Sequence, residues 1–374
     1  MTYTFLQHYW CFVVALLAAL LVFLLFVQGA NSLIFSVGRT ADERRLIVNA
    51  TGRKWEFTFT TLVTFGGAFF ASYPLFYATS FGGAYWLWMI ILFSFILQAV
   101  SYEFQSKLGN LLGVHTFQIF LVINGIVGPL LLGAAVATFF TGSNFIVHHS
   151  DFVISEWANA SHGLDALLNP WNIVFAFAVA FLARILGCLY LNNRLANEDL
   201  RNHLRTPLTI SSIVFVVLFL VFLGRVLLGQ GYAYDPQTGV IFLEPMKYLH
   251  NLLTMWPLLV MLVLGVVFVL FGIGMTLWRP AYRRGIWVTG FGTVVTVLVL
   301  LLCTAWNNTA YYPSTADLQS SLTMQNSSSS EFTLRTMFYV SLLIPFVLAY
   351  IIYAWRSIDK RPIDMEDIND EHAY

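Results

Sequence analysis

The sequence predicts an all-α polytopic membrane protein with about nine transmembrane helices. Composition is the first ground. Of 374 residues, 58% are hydrophobic and only 10% are charged, against about 45–50% and roughly 25% in soluble domains. The second is that the apolar residues lie in continuous runs of about 20, the length that crosses a bilayer as a helix. Barrel strands alternate instead. The third is that basic residues fall in alternate connections between the runs. The 34 Phe, 11 Trp and 17 Tyr exclude disorder. A formal net charge of zero leaves no basic surface for nucleic acid.

In order, the runs cover residues 8–35, 58–78, 85–104, 116–140, 170–191, 207–229, 251–277, 286–306 and 334–355. No basic segment precedes the first run, and it is too long for a signal-peptide core, so it is expected to remain as an anchor. Fifteen of the 19 Lys and Arg lie in alternate connections: Arg39, Arg44, Arg45, Arg53 and Lys54; Lys107; Arg194, Arg201 and Arg205; Arg279, Arg283 and Arg284; Arg356, Lys360 and Arg361. The opposite connections hold only Lys247. The basic side is cytoplasmic by the positive-inside rule, which places the N-terminus outside and the C-terminus inside. Arg184, Arg225 and Arg335 lie within or beside runs, and the first two read as structural residues that snorkel toward helix ends. The longest outer connections are 141–169 and 307–333. Residues 1–355 read as one integral-membrane domain of two four-helix-bundle-like halves plus a peripheral helix. Residues 356–374 read as an acidic cytoplasmic tail.

Cys11, Cys188 and Cys303 lie far apart in or beside runs, without a CxxC pair, and read as buried small hydrophobes. His8, His115 and His250 stand at helix starts, and His148, His149, His162, His203 and His372 in loops or the tail. A membrane haem usually takes His or Met at membrane depth, so this chain alone is not expected to ligate one. His148, His149 and His162 could serve a metal, but lack a carboxylate framework and read as surface residues; no metal site is assigned. No P-loop, dinucleotide-binding glycine pattern or nucleophile motif is present. Gly66-Gly67-Ala68 reads as a close helix contact, and Gly82-Gly83-Ala84 as a turn. Asn307-Asn308-Thr309 fits a glycosylation sequon, a weak signal.

Polar groups at membrane depth are costly and are functional candidates. Gln28 and Asn31 share a face near the inner end of the first run. Trp55 and Glu56 open the second, and Gln98 and Glu103 lie in the inner third of the third. The two carboxylic acids suggest a proton entry route from the cytoplasm; the plainer reading is a polar interfacial rim.

This stretch also carries a family resemblance. Gly38-Arg39-Thr40 with Glu43-Arg44-Arg45, Trp55-Glu56, Gly66 to Ala71, Pro74 and Tyr77-Ala78 resemble the signature region of subunit II of cytochrome bd-type quinol oxidases. Tyr102 to Lys107, Leu168-Asn169-Pro170-Trp171, Leu322-Thr323-Met324 with Ser328-Ser329, Thr333-Leu334, and Pro345-Phe346 with Tyr350 continue the resemblance in order. Departures occur at four places. Asn31 replaces an acid, Glu56 lengthens a Trp-Asp pair, Gln98 replaces an arginine, and Gln105 replaces the arginine of an E-F-R-x-K motif. The first and third together read as a paired loss that keeps the site near neutral.

The resemblance implies a catalytic complex in the bacterial cytoplasmic (inner) membrane that oxidises quinol and reduces dioxygen to water with cytoplasmic proton uptake. It implies a haem-binding subunit I holding two b-type haems and one d-type haem. It leaves room for a structural quinone in this subunit and for a small accessory subunit. Trp55, Glu56, Asn31, Gln98 and Glu103 become candidates for a proton path or haem-pocket support, with no catalytic residue assigned with certainty. Two other readings compete. A secondary transporter should show broken helices with polar groups at the midplane, whereas here they concentrate at one side. A purely structural membrane partner differs in whether Glu56 matters to turnover.

Overall fold

The computed structural model describes residues 1–107, 109–149, 153–279 and 281–364. Most of the predicted acidic tail, residues 365–374, lies outside the described residues, as does His372. Seven described helices are long and apolar enough to cross a membrane: Tyr3–Asn31, Tyr85–Phe104, Val114–Thr141, Pro170–Arg194, Glu198–Leu228, Trp256–Trp278 and Gly285–Ala305. Two bent pairs bring the count to nine: Ala41–Ser72 with Pro74–Gly83, and Glu331–Ser341 with Ile344–Ile358. They correspond in order to the nine apolar runs and are called spans one to nine.

The ends are capped where polar residues meet the runs. The Thr2 hydroxyl accepts from Phe5 N–H at the start of span one. Thr40 and Glu43 form a reciprocal capping box that opens an amphipathic helix, Ala41–Gly52. Asn169 caps span five with Pro170 at its first position, where a missing N–H is harmless. Ser330 caps span nine. Span two is shorter than its apolar run. Its helix Trp55–Ser72 stops before Pro74, and the chain turns by 120° into Pro74–Gly83. Tyr73 takes a non-helical conformation, as the ring of a following proline demands.

Spans one to four form one bundle and spans five to eight another. They meet along spans one, four, five and eight. Span nine lies outside, packed on spans one and two; its outer half is held by Tyr9 Oη to Ser341 Oγ at 2.7 Å and by Trp10 Nε1 donating to Leu334 O at 3.1 Å. The predicted halves and peripheral helix are therefore present.

The close approaches lie elsewhere than the sequence suggests. Gly67 has nothing within 4 Å of where a Cβ would stand, and Gly66 meets only Phe81 at 3.5 Å. Tight contacts line the seam of spans seven and eight, at Gly265, Gly272 and Gly292, and surround the inner end of span one. A Cβ on Gly29 would stand 1.7 Å from Ala183 O, and one on Gly187 would stand 2.3 Å from Ala30 N. One on Gly125 would stand 2.6 Å from both Gln28 O and Ser32 N. Span one is thus wedged between spans four and five with backbone against backbone.

Both membrane ends are closed by irregular chain. On the outer side, the connections contain two hairpins, Phe145–His149 with Val153–Trp157 and Gln230–Tyr234 with Ile241–Pro245. The segment 307–333 threads between them, bridging Ser143 with Ser314 and Ala233 with Thr309. Tyr312 stacks on Phe145 at 5.4 Å. On the basic side, residues 359–363 return to the bundle. Ile363 N–H donates to Arg194 O at 2.8 Å and Ala196 N–H to Ile363 O at 2.9 Å. Asp359 lies 3.1 Å from Lys54 Nζ and 3.4 Å from Arg194 Nε, and both basic side chains are buried. Lys54 also sits over the Trp355 ring at 4.0 Å.

Two outcomes follow. Gly29→Ala forces a methyl into the Ala183 carbonyl and should lower stability by about 1–3 kcal/mol, while Gly67→Ala should leave it within about 0.5 kcal/mol. Thermal unfolding of the purified protein distinguishes the two. Asp359→Asn leaves two buried cations without their carboxylate and should cost about 3–5 kcal/mol, read from denaturation with Trp fluorescence.

Candidate functional site

The helix contacts described above place a polar cluster at the inner ends of spans one, three and four. Gln28 is fully buried, because Gly29 and Gly125 bring its backbone against spans five and four. Its Nε2 donates to Gln98 Oε1 at 3.1 Å and reaches Asn124 Oδ1 at 3.4 Å. Asn124 Nδ2 in turn donates to Ser94 Oγ at 3.2 Å. One turn further along span one, Asn31 Oδ1 accepts from Tyr102 Oη at 2.8 Å. The Tyr102 ring stacks on Trp55 with centroids 5.8 Å apart and planes 19° apart. Gln28, Asn31, Gln98, Asn124 and Tyr102 are all essentially inaccessible.

The two carboxylic acids are not in this cluster. Glu56 and Glu103 are both exposed on the surface of the chain. The reason is geometric. Trp55 and Tyr102 point toward each other, and each acid is the next residue along its helix, turned by about 100°. Of the residues singled out in the sequence, the fold brings Gln28, Asn31, Trp55 and Gln98 inward and sends Glu56 and Glu103 outward. Asn31 and Gln98, expected as a compensating pair, each find a different partner. Asn124, Ser94 and Tyr102 were missed as members of the site. Asn124 had a signal: an amide in the middle of an apolar run, beside Gly125, Gly128 and Pro129.

The cluster is neutral throughout. Gln28 Oε1, Gln98 Nε2, Asn31 Nδ2 and Trp55 Nε1 are buried without a protein partner. Such atoms are commonly satisfied by ordered water.

The two apolar core cavities are too small for a haem. The apolar core contains cavities of about 40 Å³ beside Cys11 and about 80 Å³ beside Leu21; a site for a group of that size occupies on the order of 300–1,000 Å³. The described histidines lie in the first hairpin, in loops or in the end turns of helices. His148 is 3.7 Å from Glu156, while His162 Nδ1–H donates to Gly83 O and its ring lies tilted against Tyr85, so the outer histidines do not converge. Among the described residues, no three His, Cys, Asp or Glu side chains form a metal-binding group. Cys11, Cys188 and Cys303 are buried and unlinked.

Severing the amide network tests its weight. Gln98→Leu should lower stability by about 1–3 kcal/mol by leaving Gln28 poorly paired. The double variant Gln28→Leu/Gln98→Leu should be milder than the sum of the singles by at least about 0.5 kcal/mol. Thermal unfolding across the mutant cycle gives the coupling.

Comparison with known proteins agrees with this architecture. The profile of the family described as cytochrome bd terminal oxidase subunit II matches residues 6–358. The cytochrome bd-I ubiquinol oxidase subunit 2 of Escherichia coli K12 is 27% identical over 357 residues, covering 92% of this chain and 91% of that one. The cytochrome bd ubiquinol oxidase subunit 2 of Bacillus subtilis is 26% identical over 366 residues, covering 92% and 94%. A chain in the structure of bd oxidase from Geobacillus thermodenitrificans shares the fold, with a TM-score of 0.65 over 98% of this chain and 99% of that one at 10% identity. The chain belongs to the cytochrome bd terminal oxidase subunit II family.

Proposed function

We propose that this chain is the supporting subunit of a quinol:dioxygen oxidoreductase in the bacterial cytoplasmic membrane, and that Glu56 is its proton-collecting group. The match to the subunit II family over residues 6–358 carries the first part. The partner is the haem-bearing subunit I, which oxidises quinol; its two b-type haems and one d-type haem supply electron transfer and dioxygen reduction to water. The haems are assigned to the partner in this reading, since the described histidines here stand outside the middles of the spans. A structural quinone and a small accessory subunit are further components the family allows.

The exposed position of Glu56 at the basic end of span two carries the second part. Of the five site residues, only Glu56 and Glu103 carry a carboxyl group. The amides and the indole do not titrate, so the interior of the bundle is not a proton conductor by its side chains alone. Protons therefore pass along the outer face of spans two and three, where subunit I or lipid covers them. Asn31 and Gln98 hold the inner ends of spans one and three together. Trp55, stacked on Tyr102, fixes the helix turn from which Glu56 projects. Those three are positioning residues.

The reading differs from that of a purely structural partner in one measurement. In the complex assembled with its haem-bearing subunit, Glu56→Gln should slow quinol-dependent oxygen uptake by at least about tenfold with the haem spectrum unchanged. Glu56→Asp should recover most of it. Unchanged turnover in a fully haem-loaded Glu56→Gln complex refutes the proton role. An absent haem spectrum in the wild-type complex refutes the oxidase reading itself.

A further inference from the structure

A groove of about 690 Å³ opens on the surface of the chain between spans four, five and six, with the turn after span one as its floor. It plays no part in the proton route proposed above. Its chemistry changes along its length. On span five, Phe177, Ala180, Phe181 and Arg184 stand at i, i+3, i+4 and i+7, and so form one stripe along the helix. Arg184 is nearest the basic end, and Phe177 lies about 10 Å further toward the opposite side. Ile126 and Leu130 of span four and Ile210 of span six continue the apolar part. Arg39 and His203 join Arg184 at the basic end.

The positive charge there is not answered by the protein. Among the described residues, no carboxylate lines the groove. Arg184 Nη1 donates to Ser32 Oγ at 3.2 Å and Ser32 O at 3.4 Å, both neutral acceptors. The nearest acid in sequence to Arg39, Glu43, is occupied by the capping box: its carboxylate accepts from the backbone N–H of Arg39 at 2.6 Å and of Thr40 at 3.0 Å. His203 Nδ1 is buried and has no protein partner. Two guanidinium groups and an orphaned imidazole nitrogen therefore face one end of a cleft whose other end is apolar.

We propose that this groove binds one anionic glycerophospholipid of the cytoplasmic leaflet. Its phosphodiester lies among Arg39, Arg184 and His203, and an acyl chain runs along Phe181, Phe177 and Leu130. Basic pockets between helices on the cytoplasmic side recognise anionic headgroups in this way. A soluble phosphate satisfies the charges but leaves the apolar stripe unused; a neutral lipid does the reverse. The geometry favours a ligand with both parts. It also gives Arg184 a role beyond snorkelling.

The test uses the full complex, delipidated in detergent and titrated with dioleoyl phosphatidylglycerol under native mass spectrometry. One phosphatidylglycerol should be retained per copy of this chain, in preference to dioleoyl phosphatidylcholine. Arg39→Gln and Arg184→Gln should each weaken that binding by about fivefold, and Arg184→Lys should stay within about twofold of wild type. Arg39 is exposed, so its variant folds even if the Arg184 variant does not. Wild-type phosphatidylglycerol affinity in Arg39→Gln overturns the proposal. So does equal affinity for phosphatidylcholine, or displacement of the lipid by millimolar inorganic phosphate, which would assign the groove to a soluble anion.

Discussion

The inner end of span one meets spans four and five backbone against backbone. Gly29, Gly125 and Gly187 each occupy a place where one carbon atom more would overlap a neighbouring main chain. In hydrocarbon, helices gain little by hiding apolar surface from lipid, so close packing and interhelical hydrogen bonds hold them together. The three glycines supply the packing and thereby create the need for the hydrogen bonds. Once span one is wedged so tightly, Gln28 and Asn31 are shut away from solvent and lipid, and their partners must come from spans three and four. The amide network is a consequence of the glycine contacts as much as a cause of the fold.

The same contact sorts charge from neutrality. Every group drawn into the cluster is uncharged, in keeping with the large penalty for an isolated ion in a low-dielectric interior. The carboxylates of Glu56 and Glu103 are each one residue beyond a buried ring and turn outward. Buried charge lies at the two ends: at the basic end Lys54 and Arg194 share Asp359 and the returning segment 359–363 satisfies Arg194 with backbone carbonyls, and at the outer end Lys247 pairs with Glu244. The chain thus presents a neutral amide cluster, a charged rim at its basic end and acids on its outer face.

The outer end is built differently. Its two hairpins and the segment 307–333 are joined by backbone bridges and by aromatic stacking such as Tyr312 on Phe145. Sequence reading recognised 141–169 and 307–333 as long connections but found no strands, and the hairpin at 230–245 fell in a connection it did not single out. Short strands of five residues at a membrane surface carry little periodic signal, and their pairing depends on a third segment far away in the chain.

The sequence by itself determined the spans and their order, because the length of an apolar run is a local property read by the bilayer. It also marked the inner ends of the first three spans as polar, and its ordered motifs pointed to the right family. Tertiary structure alone decided which of those polar residues meet. Helical phase sent Glu56 and Glu103 outward and Gln28, Asn31, Trp55 and Gln98 inward, and it recruited Asn124, Ser94 and Tyr102. It also moved the close helix contacts from Gly66 and Gly67 to Gly29, Gly125 and Gly187. A glycine in a sequence is only permission for two helices to touch; whether they do depends on what stands opposite, and that is set by how all the spans pack together.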